Sequence, residues 1–223
     1  MERIAEFFHQ GGLFMYINMF CAIVAVAVII DRSVFFIRSS SVSGNGLLDM
    51  VRKLLLSKRL DKAIKMCSLA TGPLLQVAHV ALTRATKGEE AVAAAVEEAL
   101  VEITPHIKKR ISALWALANI ATLFGLIGTI SGLIASFAAV GTAAAEERST
   151  KLAAGISEAM NNTWLGLIIA VGCIIAHLIL SGTAKKRVSE MEAFAIKLEN
   201  LLSEESIKTA LAEPQAQSEE ARA

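Results

Sequence analysis

Charge is missing from three long stretches of this 223-residue chain: residues 7–30, 111–145 and 159–184 contain no Asp, Glu, Lys or Arg. A helix needs roughly 20 apolar residues to cross the ~30 Å hydrocarbon core of a bilayer, and each stretch is long enough. Cysteine is scarce, with three residues and no CxxC pair. That argues against a disulfide framework and against a thiolate metal site, so no metal or other cofactor is expected. Only nine Phe, two Trp and one Tyr are present, too few for the aromatic girdles of an outer-membrane β-barrel. Neither sign of charge dominates, because the formal net charge is +1, and nothing in the balance suits nucleic acid.

What is present is apolar. Hydrophobic residues make up 54% of the chain, above the usual share for a soluble domain. Backbone groups in lipid must be satisfied within the segment, so the uncharged stretches are expected to be helices. The fold class that follows is all-α, an integral membrane protein with three transmembrane helices, two of them extended into long cytoplasmic helices. Before the first stretch stand Glu2, Arg3 and Glu6, not a basic leader, and Asp31 and Arg32 follow at once. It is therefore read as a retained span.

Lys and Arg set the expected orientation. Residues 31–113 carry thirteen and 183–223 carry six, against one in 1–12 and two in 141–158. The expected layout is a periplasmic N-terminus (1–12), span one (13–30), a cytoplasmic helical region (31–113), span two (114–140), a periplasmic loop (141–157), span three (158–182), a cytoplasmic helix (183–203) and a disordered tail (204–223). Within the cytoplasmic region, SSSVSGNG at 39–46 reads as a loop. Leu47, Leu48, Val51, Leu54 and Leu55 share one helical face, as do Leu60, Ala63, Ile64 and Cys67, and Pro73 suits the first turn of a further helix that carries Leu74, Val77, Ala78, Ala81 and Leu82. Residues 88–113 read as one charged helix running into span two, with a kink near Pro105. A stripe of Val188, Met191, Ala195, Leu198 and Leu202 calls for a partner, either that helix or a neighbouring subunit.

Spans two and three each carry a seam of small and polar residues at offsets of three and four. Ala118, Ala121, Thr122, Gly125, Gly128, Thr129, Gly132 and Ser136 form one; Gly155, Ala159, Asn162, Thr163, Gly166, Ala170 and Cys173 form the other. Small residues let helix backbones approach closely where lipid offers no hydrophobic drive, so Gly125, Gly128, Gly132 and Gly166 are read as packing positions. Polar members add a second reading. Thr129, Asn162 and Thr163 either satisfy themselves locally or line an ion route, and Glu158, one turn before them, either sits at the interface or lines an aqueous path. An enzyme is not expected. His177 has no acidic neighbour at helical spacing, and Ser131 and Ser136 have no base.

Two segments, ATLFGLIGTISGLIASF at 121–137 and GISEAMNNTWLGLIIA at 155–170, resemble the second- and third-helix signatures of the MotA/TolQ/ExbB proton-channel family. The three-span layout is similar to the TolQ and ExbB branch. The resemblance implies a homo-oligomer, a pentamer, in the inner membrane. It also implies a single-span partner of the ExbD/TolR type that supplies the protonatable Asp, and work on a TonB-like, TolA-like or gliding-machinery protein. No Asp occurs in any of the three spans, which suits a ring around another protein's carrier. By the same resemblance Thr129 and Thr163 match the family's helix-two and helix-three Thr, and Glu158 its acidic residue. Thr122 and Gly172 stand where the family has Pro; Asn161, Asn162 and Trp164 replace small apolar residues. The function this implies is a pore-ring subunit of a proton-motive-force-driven motor; the competing reading is a non-conducting membrane scaffold.

Overall fold

The computed structural model describes residues 12–39, 44–69, 72–142 and 144–203, and all regular structure among them is helical. The expected N-terminal segment 1–12, apart from Gly12, and the tail 204–223 lie outside the described residues. The elements are α1 (Gly12–Ser39), α2 (Gly44–Leu56), α3 (Leu60–Leu69), α4 (Pro73–Arg84), a 3₁₀ turn (Ala85–Lys87), α5 (Glu89–Lys108), α6 (Ile111–Thr142) and α7 (Arg148–Ser203). Three helical stretches are long and apolar enough to cross a membrane: α1, α6 with the helix before it, and α7. At 1.5 Å per residue, the 56 residues of α7 run about 84 Å without interruption. Its early start also shortens the expected 141–157 connection, since α6 runs to Thr142 and α7 begins at Arg148. Nothing between 148 and 157 breaks a helix, and Lys151 pairs with Glu147 at 2.9 Å across the first turn.

The chain forms two compact units. The first joins the residues up to Ser33 with Arg110–Ser181, so it holds most of α1, all of α6 and the front of α7. Its interior is built from small side chains. Cys21 and Ala25 of α1, Ala118, Ala121 and Gly125 of α6, and Ala159, Gly166 and Ala170 of α7 are buried. Many bulky residues point outward, Leu123, Ile130, Ile134, Leu167, Val171 and Leu178 among them, while Met15 and Leu114 are buried with the small ones. This is the reverse of a soluble core. Lipid tails are as apolar as Leu, so large side chains gain nothing by turning inward, and contact between backbones holds the helices instead.

The second unit joins Val34–Lys109 with the chain from Gly182 onward and is packed like a soluble domain. Of the faces the spacing predicts, Leu47, Val51 and Leu55 of α2, Ala63 and Cys67 of α3, and Val77, Ala78, Ala81 and Leu82 of α4 are buried, while Leu48, Leu54, Leu60, Ile64 and Leu74 lie half-buried at the edges. The stripe on α7 finds its partner inside this unit. Val188, Met191, Ala195, Leu198 and Leu202 are all buried, a methyl at Gly44 would touch Phe194 at 3.6 Å, and Lys197 donates to Asn45 at 3.1 Å. Burial raises the Glu199 carboxyl above its ordinary value, and the like charge of Glu97 on α5 adds to it.

The α2–α3 turn closes with the paired bonds of a left-handed helix cap: Arg59 N–H donates to Leu54 O at 3.0 Å and Lys58 N–H to Leu55 O at 2.9 Å. Lys58 itself holds φ 54°, a conformation that costs an L side chain about 1 kcal/mol. Lys58→Gly is therefore expected to raise the stability of this unit by up to ~1 kcal/mol, read as a higher melting temperature in detergent.

One expectation fails at the approach to span two. Pro105 lies within α5, which continues three residues past it to Lys108. The break falls at Lys109, whose ψ is 137°, and Arg110, whose φ is 63°. Arg110 donates to Asp31 Oδ2 at 3.2 Å, and Arg32 Nε donates to the same carboxylate at 2.9 Å. The break thus coincides with a pairing to a residue far away in sequence, which no local signal shows. The hydrogen bond from Arg32, followed by Arg110, holds the Asp31 carboxyl below its usual range. The contribution is therefore full above an ordinary Asp value of ~3.9 and is lost as pH falls through the lowered one. Asp31→Asn is expected to remove that part of the acid-induced loss of stability, measured by melting at descending pH.

Candidate functional site

The seams of α6 and α7 face each other. A Cβ at Gly166 would stand 2.6 Å from Ala121 O, and one at Gly132 would stand 2.9 Å from Ala159 Cβ, so at these crossings only hydrogen fits. Gly125 meets the backbone of Asn162 and Thr163 at 3.2 Å by the same measure. Further along, Ser136 Oγ donates to Gly132 O at 2.6 Å and occupies the space a side chain at Gly155 would need.

The contact between backbones brings the two threonines together. Thr129 Oγ1 and Thr163 Oγ1 are hydrogen-bonded to each other. Thr129 Oγ1 also donates to Gly125 O at 3.0 Å and reaches Ala159 O at 3.3 Å; Thr163 Oγ1 reaches Gly125 O at 3.0 Å. Two hydroxyl protons therefore share two carbonyls and each other, a small network with more than one satisfied arrangement. Both threonines are half-buried, so the pair is open on one side. Glu158, next to the acceptor Ala159, is exposed. Asn162, read from the sequence as lining a pore, is 3% exposed. It lies behind Gly128, where an added Cβ would come within 3.0 Å of the Asn162 Cβ and 3.1 Å of the Phe14 Cβ. The structure therefore brings Thr129, Thr163 and the four glycines together, leaves Glu158 at the rim and tucks Asn162 into the packing.

Two features of this unit escape the sequence. Asn18 of α1 is completely buried, with Met15, Cys21 and Ala25 on the same helical face. A lone Asn in an uncharged run was the available signal. His177 Nδ1 donates to Ile111 O at 3.0 Å, and its ring lies 6.0 Å from that of Trp115, so it ties α7 to the first turn of α6. Among the described residues no cluster of His, Cys, Asp or Glu could hold a metal ion.

Three apolar helices, a seam with no room for side chains larger than hydrogen at its crossings, and a hydroxyl network held within it define a multi-pass helical membrane protein with polar chemistry at the depth of the bilayer. The chain belongs to the MotA/TolQ/ExbB proton channel family, whose pattern it matches over residues 62–193. The family is one of transport and channel proteins, and the chain has an ExbB/TolQ-type role. It is 28% identical over 167 residues to the biopolymer transport protein ExbB-like 3 of Synechocystis sp., covering 74% of this chain and 79% of that one. It is 24% identical over 207 residues to ExbB-like 1 of the same organism, covering 88% and 78%. The ExbB homolog of Methanothermobacter thermautotrophicus is 21% identical over 189 residues, covering 85% and 67%.

Proposed function

We propose that this chain is the ring subunit of a proton-motive-force-driven motor in the cell inner membrane, with its N-terminus periplasmic and its C-terminus cytoplasmic. Several copies, five by family resemblance, surround a single-span partner of the ExbD/TolR type, and the partner's intramembrane Asp takes up and releases the proton. The work is delivered to the cell envelope, in TonB-dependent uptake, Tol-type maintenance or gliding.

The observation that carries this reading is the Thr129–Thr163 hydroxyl pair, half-buried at the depth of the bilayer in a channel-family chain whose three spans contain no Asp. The Thr129 hydroxyl can exchange its acceptor among Gly125 O, Ala159 O and the other hydroxyl, and the Thr163 hydroxyl between Gly125 O and the other hydroxyl, without leaving a buried polar group unpaired. A proton passed along such a pair to a carboxylate removes the charge that makes the carboxylate costly in a low dielectric. Each proton crossing ~100 mV supplies about 2.3 kcal/mol, several times thermal energy, which biases movement of the partner against the ring.

One observation favours the scaffold reading: both hydroxyls already have carbonyl partners within the chain, as a dry packing seam would require. Proton uptake by vesicles decides between them. The chain reconstituted with its single-span partner should conduct when a potential is applied. A well-formed complex that passes no protons would be the scaffold.

A further inference from the structure

The proposed route engages α6 and α7 and leaves α1 as support. Asn18 does not fit a supporting role. Its side chain is 0% exposed, and neither its amide nitrogen nor its amide oxygen has a hydrogen-bond partner among the described residues. A buried amide left in that condition costs about 1–3 kcal/mol, and such groups in native proteins are usually met by an ordered water or an ion.

The direction of Asn18 follows from its neighbours one turn to either side. Phe14, four residues before it, packs against Gly128, which in turn touches Asn162. Cys21, three residues after it, and Ala25, one turn further, are buried on the same face. Asn18 shares the buried face on which Phe14 meets Gly128, so its carboxamide points toward the seam between α1 and the α6–α7 pair. One turn from Asn18 the seam holds Gly128 and the buried Asn162.

We propose that Asn18 binds an internal water in this seam, and that the water is a third polar station of the proton route beside the Thr129–Thr163 pair. A carboxamide donates through nitrogen and accepts through oxygen, so a neutral molecule that does both satisfies it. A metal cation would leave the two amide protons unmet. This rests, for its transport part, on the channel reading given above.

The test uses the full complex in lipid. Magnetisation transfer from water to the Asn18 side-chain amide in solid-state NMR, with the signal assigned by its loss in Asn18→Val, should be strong. No transfer means a dry amide and overturns the proposal. Asn18→Val and Asn18→Thr have nearly the same shape and differ in the hydroxyl. Proton flux should fall about a hundredfold in Asn18→Val, the lower end of what a positioned proton-transfer group contributes, and recover in Asn18→Thr. Wild-type flux in both variants overturns the place in the route. A wild-type complex that conducts no protons at all defeats the channel reading separately, and the water measurement then decides the site by itself.

Discussion

Thr163→Val is expected to reduce proton flux through the reconstituted complex by about a hundredfold, with Thr129→Val close behind. Valine keeps the shape and removes the hydroxyl, so helix packing at Gly125 and Ala159 survives and any loss of flux reports the proton network alone. The two hydroxyls bond to each other and compete for Gly125 O, so they form one device. The double variant should therefore be little worse than either single one, because sites that share partners are not additive. Glu158→Gln should lower the flux less, since Glu158 is exposed at the rim and water can replace it. Wild-type flux in both single threonine variants and in the double would remove this seam from the route.

Gly166→Val should have the largest effect on assembly. The nearest obstacle to its Cβ is the carbonyl oxygen of Ala121 at 2.6 Å, with Gly125 Cα at 3.2 Å. Both are backbone and cannot swing aside as a flexible side chain would. Overpacking a tight interior typically costs 1–3 kcal/mol, and a branched residue against backbone belongs at the upper end, about 3 kcal/mol. The expected readout is a lower melting temperature and loss of a monodisperse complex in detergent. Gly172→Val supplies the control. Nothing lies within 4 Å of its Cβ position, so the same substitution six residues along the same helix should be tolerated.

The layout of helices was largely legible because its signals are local. Uncharged stretches marked the three spans, and the spacing of Leu47, Val51 and Leu55, or of Ala118, Ala121 and Gly125, named the residues that share a face. What each face meets was less legible. The α7 stripe could have met another subunit, yet it is covered within its own unit. The sequence left open whether the threonines satisfy themselves locally or line an ion route. In the single chain they face one another first, and only the half-exposed edges of Thr129 and Thr163 remain to face anything else. Pro105 misled because proline is a local signal for distortion, whereas the actual break at Arg110 coincides with a pairing to Asp31, brought near only by the fold. Asn18 was passed over because a single polar residue in an apolar run has no period to reveal its direction.

The most direct test is the structure of the purified complex in lipid, solved together with the single-span partner. The account predicts several copies in a closed ring, with the Thr129–Thr163 edge of every copy turned toward a guest helix that carries an Asp at that depth. A solitary chain, or a ring whose hydroxyl edges look out at lipid acyl chains, would contradict it.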